Sequence, residues 1–195
     1  MKKQEFLEIF DKYITREGAD KLRSYLISSD FFVAPASGRY HCAYEGGLCE
    51  HSVNTYKRFL KNVIKEYGED YQAHVSDETI AICGLLHDVC KIDFYKVDYR
   101  NVKENNEWVK KPYYTKEEGL PYGHGEKSVY ILCGFIKLTR EEAMAINWHM
   151  GGFDSRLKGG DGSISEAYRK FPLAVLLHVS DLEATFIDEN HGLNL

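Results

Sequence analysis

The stretch TIAICGLLHDVCK, residues 79–91, places a histidine and an aspartate in a helix that is otherwise apolar on every side. At about 100° per residue its aliphatic side chains cover the whole circumference, and this pattern predicts a buried helix. Burying an unpaired carboxylate is costly, so Asp88 requires a cation. A metal ion beside His87 and Asp88 would meet this need, and so would an arginine partner.

Two further segments carry similar residues. LLHVSDLEA, residues 176–184, places Asp181 in a second strongly apolar helix, and GGLCEHS, residues 46–52, places His51 in the first turn of a third. His51 lies roughly 140° from the centre of its helix's apolar stripe, so we do not expect a core histidine. Each residue alone is typical of a hydrogen-bonded structural group. Together, imidazole and carboxylate groups on three helices favour a site for Fe, Mn, Zn or Ni.

These segments resemble the HD superfamily of metal-dependent phosphohydrolases. HCAYEGGLCEHS, residues 41–52, is similar to the first-ligand segment in HD domains of bacterial 3′-to-5′ exoribonucleases, and LHDVCKID, residues 86–93, resembles the HDxxK form of the motif. The resemblance covers about Tyr40 to Ile187. It implies an all-α fold, an HD-domain helical bundle, and we expect residues 1–195 to form one such domain.

The resemblance also implies a set of metal ligands. His51, His87, Asp88 and Asp181 would hold one ion, with Asp88 as a bridge. His124 in PYGHGEKS and His149 in INWHMGGFD stand where some family members bind a second ion. Many relatives have two adjacent histidines where this chain has His149-Met150. One or two divalent ions are therefore expected, with Mg also compatible.

Lys91 follows His87 by one predicted helical turn. The resemblance implies that Lys91 neutralises a phosphate oxygen. The alternative interpretation is a surface lysine at the end of a helix, where the helix dipole favours a positive charge. Asp88 and Lys91 are therefore the expected catalytic residues. Arg156 in the glycine-rich loop and Tyr44 before the first ligand are expected substrate contacts.

Cap and turn signals predict the remaining elements. Two helices are expected within residues 1–30, the second capped by Thr15, and a third is expected from Leu48. The next two are expected from Ser76 or Asp77 through Cys90 and from His124 to about Leu138. Two more should follow capping boxes at Thr139–Glu142 and Ser163–Glu166, and the last should run from Pro172 to about Asp188. Residues 30–47 and 151–162 contain glycine clusters and are expected to be loops.

A β-hairpin is expected at about residues 94–115, inserted between helices, because aromatic and polar residues alternate around the Asn105-Asn106 turn. Its lysine, arginine, tyrosine and tryptophan side chains are typical of surfaces that contact nucleic acid. A two-stranded ribbon with one solvated face shows the same pattern and is the preferred interpretation. A lid or a dimer contact would also fit.

The mechanism expected from these residues is metal-assisted hydrolysis of a phosphate ester. The net charge of −5 provides no basic field for long nucleic acid, so the expected substrate is a phosphorylated small molecule such as a nucleotide, or a short RNA or DNA. The alternative is a non-catalytic module that binds a nucleotide and regulates a partner. The oligomeric state is not predicted by the sequence.

Five scattered cysteines without a CxxC pair are typical of reduced thiols. Cys83 and Cys90 are expected to be small buried residues rather than ligands. The N-terminal MKKQEFLEIFDKY lacks an apolar core of signal-peptide length, so we expect a cytoplasmic protein without membrane contact.

Overall fold

The computed structural model describes residues 2–189. The α-helices in this range are α1 (Lys2–Tyr13), α2 (Ala19–Ser28), α3 (Gly47–Tyr67), α4 (Asp77–Leu86), α5 (His124–Cys133), α6 (Arg140–Trp148), α7 (Ser155–Lys158), α8 (Ser163–Lys170) and α9 (Pro172–Glu183). Strands β1 (Tyr95–Glu104) and β2 (Glu107–Lys116) form the antiparallel hairpin. The fold is mostly helical with an inserted two-stranded hairpin, which is consistent with the predicted helical domain.

The long helix α3 lies at the centre of the bundle. It packs against α4 on one side and α9 on another, while α6 packs against both α9 and α5. Phe6 of α1 and Leu22 of α2 belong to the same apolar core as Phe59, Leu85 and Leu177. The N-terminal helices are therefore packed on the bundle. This arrangement brings the C-terminal ends of α4 and α6 toward α3 and α9.

A close approach of α3 and α4 sets the distance between two of the predicted ligands. A Cβ atom added at Gly84 would lie 2.6 Å from the Cα atom of Tyr56, so any larger residue would push the helices apart. His51 lies one turn before Tyr56, and His87 directly follows α4. Glycine at position 84 thus lets their side chains approach each other.

The helix carrying the HD motif is shorter than predicted. Ser76 caps it as expected, since its hydroxyl accepts a hydrogen bond from the Thr79 N–H at 3.1 Å. The α-helix ends at Leu86, however, and residues Val89–Lys91 form a 3-10 turn. The Cys90 N–H donates to the Ser128 hydroxyl at 3.2 Å instead of continuing the helix. The prediction of a helix through Cys90 is therefore wrong.

Two predicted helix caps are also wrong. The N–H groups of Thr15 and Arg16 donate to the Glu78 carboxylate, and α2 begins only after Gly18, whose φ of 88° lies in the left-handed region. Thr15 is therefore not the cap of α2. At α8 the Ser163 N–H donates to Asp161 at 2.8 Å, and Gly162 is the N-cap residue, so the capping box predicted at Ser163 is absent.

The other boundaries differ in smaller ways. Thr139 and Glu142 form the predicted capping box of α6. Helix α5 ends at Cys133, earlier than predicted, because the Phe135 and Ile136 N–H groups both bond to the Leu132 carbonyl in a tight turn. Residues 151–162, predicted as a loop, contain a 3-10 turn and the short α7, which Asp154 caps.

The C-terminal segment changes from an α-helix to a π-helix. Helix α9 ends at Glu183, and the π-helix Ala184–Asp188 follows it, within the range predicted as one continuous helix. No helix among residues 2–189 is both long and apolar enough to cross a membrane.

Candidate metal centre

Side chains from five helices or their ends meet at one place. Asp181 lies in α9, His51 lies near the start of α3, and His124 is the first residue of α5. The residues that directly follow the last turns of α4 and α6 supply the remaining three, which are His87, Asp88 and His149. The structure thus brings together all the side chains expected as metal ligands.

One half of the cluster contains His51, His87 and Asp181. The Nε2 atom of His51 lies 3.2 Å from Nε2 of His87 and 3.1 Å from an Asp181 carboxylate oxygen. The Oδ2 atom of Asp88 lies 3.5 Å from both Nε2 atoms. Four potential ligand atoms therefore face one another from three sides of the bundle.

The hydrogen bonds on the far side of these rings decide where their lone pairs point. The His87 Nδ1–H donates to the Gly84 carbonyl at 3.0 Å, and the His51 Nδ1–H donates to the Glu189 carboxylate at 3.1 Å. In the neutral rings both Nε2 lone pairs are therefore directed at each other. Two nitrogen lone pairs at 3.2 Å repel unless a cation lies between them, and the donor set fits a divalent metal.

The other half of the cluster contains His124 and His149. The Oδ1 atom of Asp88 lies 2.8 Å from Nε2 of His124 and 3.5 Å from Nε2 of His149. The His149 Nδ1–H donates to the Ile146 carbonyl at 2.6 Å, so its lone pair is on Nε2. This Nε2 atom is buried and has no hydrogen-bond partner among the described residues. An orphaned buried imidazole nitrogen aimed at a carboxylate also fits a bound metal.

Asp88 stands between the two halves. Its Oδ2 atom faces His51 and His87, and its Oδ1 atom faces His124 and His149. The carboxyl group is 2% exposed. Burial alone raises its pKa, but Lys91 and the surrounding histidines outweigh burial and hold the pKa well below its ordinary value. Asp88 is therefore an anion with one oxygen available to each half.

Lys91 is buried beside this carboxylate. Its ammonium group lies 2.5 Å from Asp88 Oδ2. Burial lowers the pKa of Lys91, but the charge of Asp88 and their hydrogen bond raise it above its ordinary value. The sequence-based prediction put Lys91 one helical turn beyond His87. In the structure Lys91 lies in a 3-10 turn, and its partner is Asp88, three residues earlier. The ammonium is thus charged and inside the cluster, not at the surface.

The histidines differ in their preference for a proton. Burial outweighs the charge of Asp88 and lowers the pKa of His87 to about 3. Burial also lowers the pKa of His51, but its hydrogen bonds to Asp181 and Glu189 outweigh burial and raise the pKa to about 10. In the protein without metal, His51 is therefore the protonated member of the His51–His87 pair, and its positive charge lies where the two Nε2 atoms face each other. A bound metal cation would place positive charge at the same position.

Further side chains lie beside the cluster. Glu189 holds the His51 ring and also accepts a hydrogen bond from Asn54 at 3.0 Å. The His41 ring lies 4.7 Å from that of His51, and its buried Nε2 has no partner among the described residues. The Cys90 sulfur lies within 3.5 Å of both ring nitrogens of His124, so it contacts the ring face.

The two expected substrate contacts outside the cluster have other partners. The Arg156 guanidinium donates to Asp154, Glu126 and Asn147, and it stacks 3.9 Å from the Trp148 ring. The Tyr44 hydroxyl donates to Glu50 at 3.0 Å and contacts the Cys42 sulfur. For both residues a contact with substrate remains a prediction that requires these bonds to change.

Comparison with known proteins gives one family. The family model described as HD domain matches residues 49–182, a range that contains every predicted ligand together with Lys91 and the hairpin. No curated protein and no solved structure gives a significant match.

Proposed function

The chain belongs to the HD domain family, which generally includes metal-dependent phosphohydrolases, and we propose that it hydrolyses a phosphate ester of a nucleotide or short oligonucleotide. The observation that carries the proposal is the convergence of four imidazole groups on the two oxygens of Asp88. Family membership implies divalent-metal binding. In the proposed assignment, His51, His87 and Asp181 would hold one ion, His124 and His149 would hold another, and Asp88 would contribute to both.

The donor set narrows the choice of ion. Imidazole nitrogen and carboxylate oxygen atoms suit Fe, Mn, Ni and Zn, and Mg binds more readily where oxygen ligands predominate. The nitrogen atoms of His51, His87, His124 and His149 outnumber the carboxylates in this cluster. We therefore expect a transition metal in the purified protein.

The proposed reaction is hydrolysis at phosphorus. One P–O bond forms to the oxygen of water, one P–O ester bond breaks, and the leaving oxygen takes up a proton. When bound, divalent ions supply Lewis acidity to the phosphoryl oxygen and to water. The Asp88 carboxylate lies between the two pairs of histidines and can accept a hydrogen bond from the attacking water. This bond would orient the water toward phosphorus.

Lys91 provides a positive charge that belongs to the protein chain rather than to a metal ion. A phosphate held beside Asp88 would lie next to the Lys91 ammonium, which is already fixed and desolvated. Such a group can stabilise charge on the non-bridging oxygens without reorganising during the reaction. Glu189 and Gly84 take no part in the reaction, but their hydrogen bonds keep the His51 and His87 rings in the required tautomer.

The proposal is tested by metal analysis and substrate screening. Protein purified without chelator should contain between about one and two transition-metal ions per chain, and the Mn-loaded protein should hydrolyse a nucleotide or short RNA in a panel. A protein that retains no metal and binds neither Mn, Fe, Ni nor Zn would contradict the metal centre. A protein that binds metal and a nucleotide but turns over no phosphate ester would instead support the non-catalytic module.

A further inference from the structure

A groove with a cationic and aromatic lining lies between the hairpin and the loop of residues 37–40. Its volume is about 490 Å³, enough for a nucleotide unit. Arg39 comes from the loop, and Arg100 and Lys116 come from the two strands. Among the described residues that line the groove, three are cationic and none is acidic. This local charge contrasts with the net charge of −5 for the whole chain and suits an anionic ligand.

Aromatic rings supply the rest of the lining. Tyr40, Tyr95 and Tyr113 all contribute to the walls, and the Arg100 guanidinium lies 5.3 Å from the Tyr113 ring centre. Tyr40 is 68% exposed, and the Arg39 guanidinium lies 4.9 Å from its ring centre. The Asp98 carboxylate accepts a hydrogen bond from the Tyr113 hydroxyl at 3.1 Å and holds that ring in place. Tyrosine faces beside arginine and lysine are the combination that binds bases and phosphates of single strands.

Both walls of the groove continue into the metal centre. The loop ends at His41, whose ring contacts that of His51, and the Ser37 hydroxyl bonds to the His41 carbonyl at 2.7 Å. The hairpin wall begins at Tyr95. Burial raises the pKa of Tyr95, and both Lys91 and Asp88 are close enough to act on it as well. The groove therefore adjoins the place where the proposed function puts the scissile phosphate.

We propose that this groove is a subsite for a second nucleotide unit, so that the metal centre acts on a phosphodiester of at least two nucleotides. The scissile phosphate would lie at Asp88 and Lys91, with the next base against the tyrosines and the next phosphate against Arg39, Arg100 and Lys116. This inference rests on the proposed function for the reaction, but the binding that it assigns to the groove is measurable without turnover.

The kinetic test compares two diesters in the Mn-loaded protein. One is an adenosine dinucleotide, and the other is methyl p-nitrophenyl phosphate, which is too short to reach the groove. Arg100→Ala and Tyr113→Ala should each lower kcat/KM for the dinucleotide roughly five- to hundredfold, mainly through KM, and leave the small diester unchanged. Lys103→Ala, an exposed change further along the same strand, is the matched control. Equal effects on both diesters, or none on either, would overturn the subsite.

A binding measurement separates this inference from the proposed function. Calorimetry with an adenosine dinucleotide joined by a phosphorothioate reports binding even if the protein catalyses no hydrolysis. Binding that weakens in the Arg100 and Tyr113 variants, but not in Lys103→Ala, supports the groove even in a parent that shows no turnover. Unchanged binding in those variants overturns the groove as a nucleotide subsite. If the parent is a dimer and the same variants are monomers, the hairpin forms a protein contact instead. A parent that binds the dinucleotide but hydrolyses neither diester contradicts only the proposed reaction.

Discussion

The Nε2 atoms of His51 and His87 lie 3.2 Å apart, while the Nδ1–H of each ring donates elsewhere. The distance is short because Gly84 allows α3 and α4 to approach, and the ring orientation is fixed by Glu189 and by the Gly84 carbonyl. Two helices that converge in this way place two lone pairs where a single cation can satisfy both.

Glu189 gives the first prediction, because it orients His51 without belonging to the predicted ligand set. Glu189→Gln removes the negative charge but keeps a group that can hydrogen-bond to His51 Nδ1. We expect metal affinity to fall roughly tenfold to a hundredfold, as is typical when the partner of a ligating histidine is changed. Titration with a competing chelator measures the change. Glu166→Gln, on an exposed turn of α8, is the control, and equal affinity in both variants would remove Glu189 from the metal centre.

The binding of both ions should require Asp88, because its two oxygens face different histidines. Asp88→Asn has nearly the same shape but lacks the charge, so we expect loss of most bound metal and of phosphohydrolase activity. Circular dichroism should still show a helical protein. Asp20→Asn on the exposed face of α2 controls for the loss of an acid. Full turnover in the Asp88 variant would be incompatible with the proposed mechanism.

The second half of the cluster can be tested separately. His149→Ala removes an imidazole whose buried Nε2 has no other partner among residues 2–189, and His124→Ala removes one that contacts Asp88 at 2.8 Å. If two ions bind, either change should lower the metal content by about one ion per chain. Elemental analysis decides this, with His74→Ala on an exposed turn as the control. Unchanged metal content in both variants would leave a single-ion centre and assign these histidines to hydrogen bonding.

The sequence predicted the bundle and the residues of the cluster because both depend on local signals. Buried polar residues in apolar helices identified Asp88 and Asp181, and the resemblance added His124 and His149. The hairpin also follows from alternation and from the Asn105-Asn106 turn, where both residues have positive φ. Much of the secondary structure and the members of the cluster can therefore be predicted without knowing how the helices pack.

Other features depend on contacts between distant segments and left no such signal. The π-helix takes more residues per turn than an α-helix, so Glu189 returns to the same side as Asp181 and reaches His51. Lys91 contacts Asp88 because Ser128, far along the chain, takes the Cys90 N–H and ends the helix. His51 was not expected in the core, yet it is 1% exposed. Its exposure depends on how α9 packs against α3, and the sequence pattern of α3 alone does not contain this information.

A buried ion pair away from the metal centre should control stability in acid. Glu142 is fully buried and accepts hydrogen bonds from Arg16, Thr79 and the Thr139 N–H. Burial alone would raise the pKa of Glu142, but these donors outweigh burial and hold it below the ordinary value of 4.5. A depressed pKa means that the stabilisation is complete above pH 4.5 and is lost as the pH falls through the folded-state value.

Glu142→Gln should therefore lower the free energy of unfolding at pH 7, by on the order of 3 kcal/mol, because it leaves Arg16 without its buried partner. Below about pH 4 the difference between the variant and the parent should become smaller, since the parent then loses the same charge. Urea unfolding at several pH values measures both effects, with Glu141→Gln on the same helical turn as the control. A difference that stays constant from pH 7 to pH 3 would contradict the depressed pKa.

Lys91 provides the prediction that separates catalysis from binding. Its ammonium is fixed by Asp88 at 2.5 Å, next to the position proposed for the scissile phosphate. If this charge acts mainly in the transition state, Lys91→Ala should lower kcat much more than it raises KM. One lost charge-assisted contact is worth ~1.5–3 kcal/mol, so the expected fall in rate is roughly tenfold to a hundredfold. Metal content should stay near that of the parent, because Lys91 cannot itself ligate the ion while protonated. Lys61→Ala, on an exposed position of α3, controls for the loss of a cation. A parent that only binds nucleotides would show weaker affinity in the Lys91 variant and no rate to lose, whereas an active parent with an unaltered rate would exclude Lys91 from the chemistry and leave the metal centre in place.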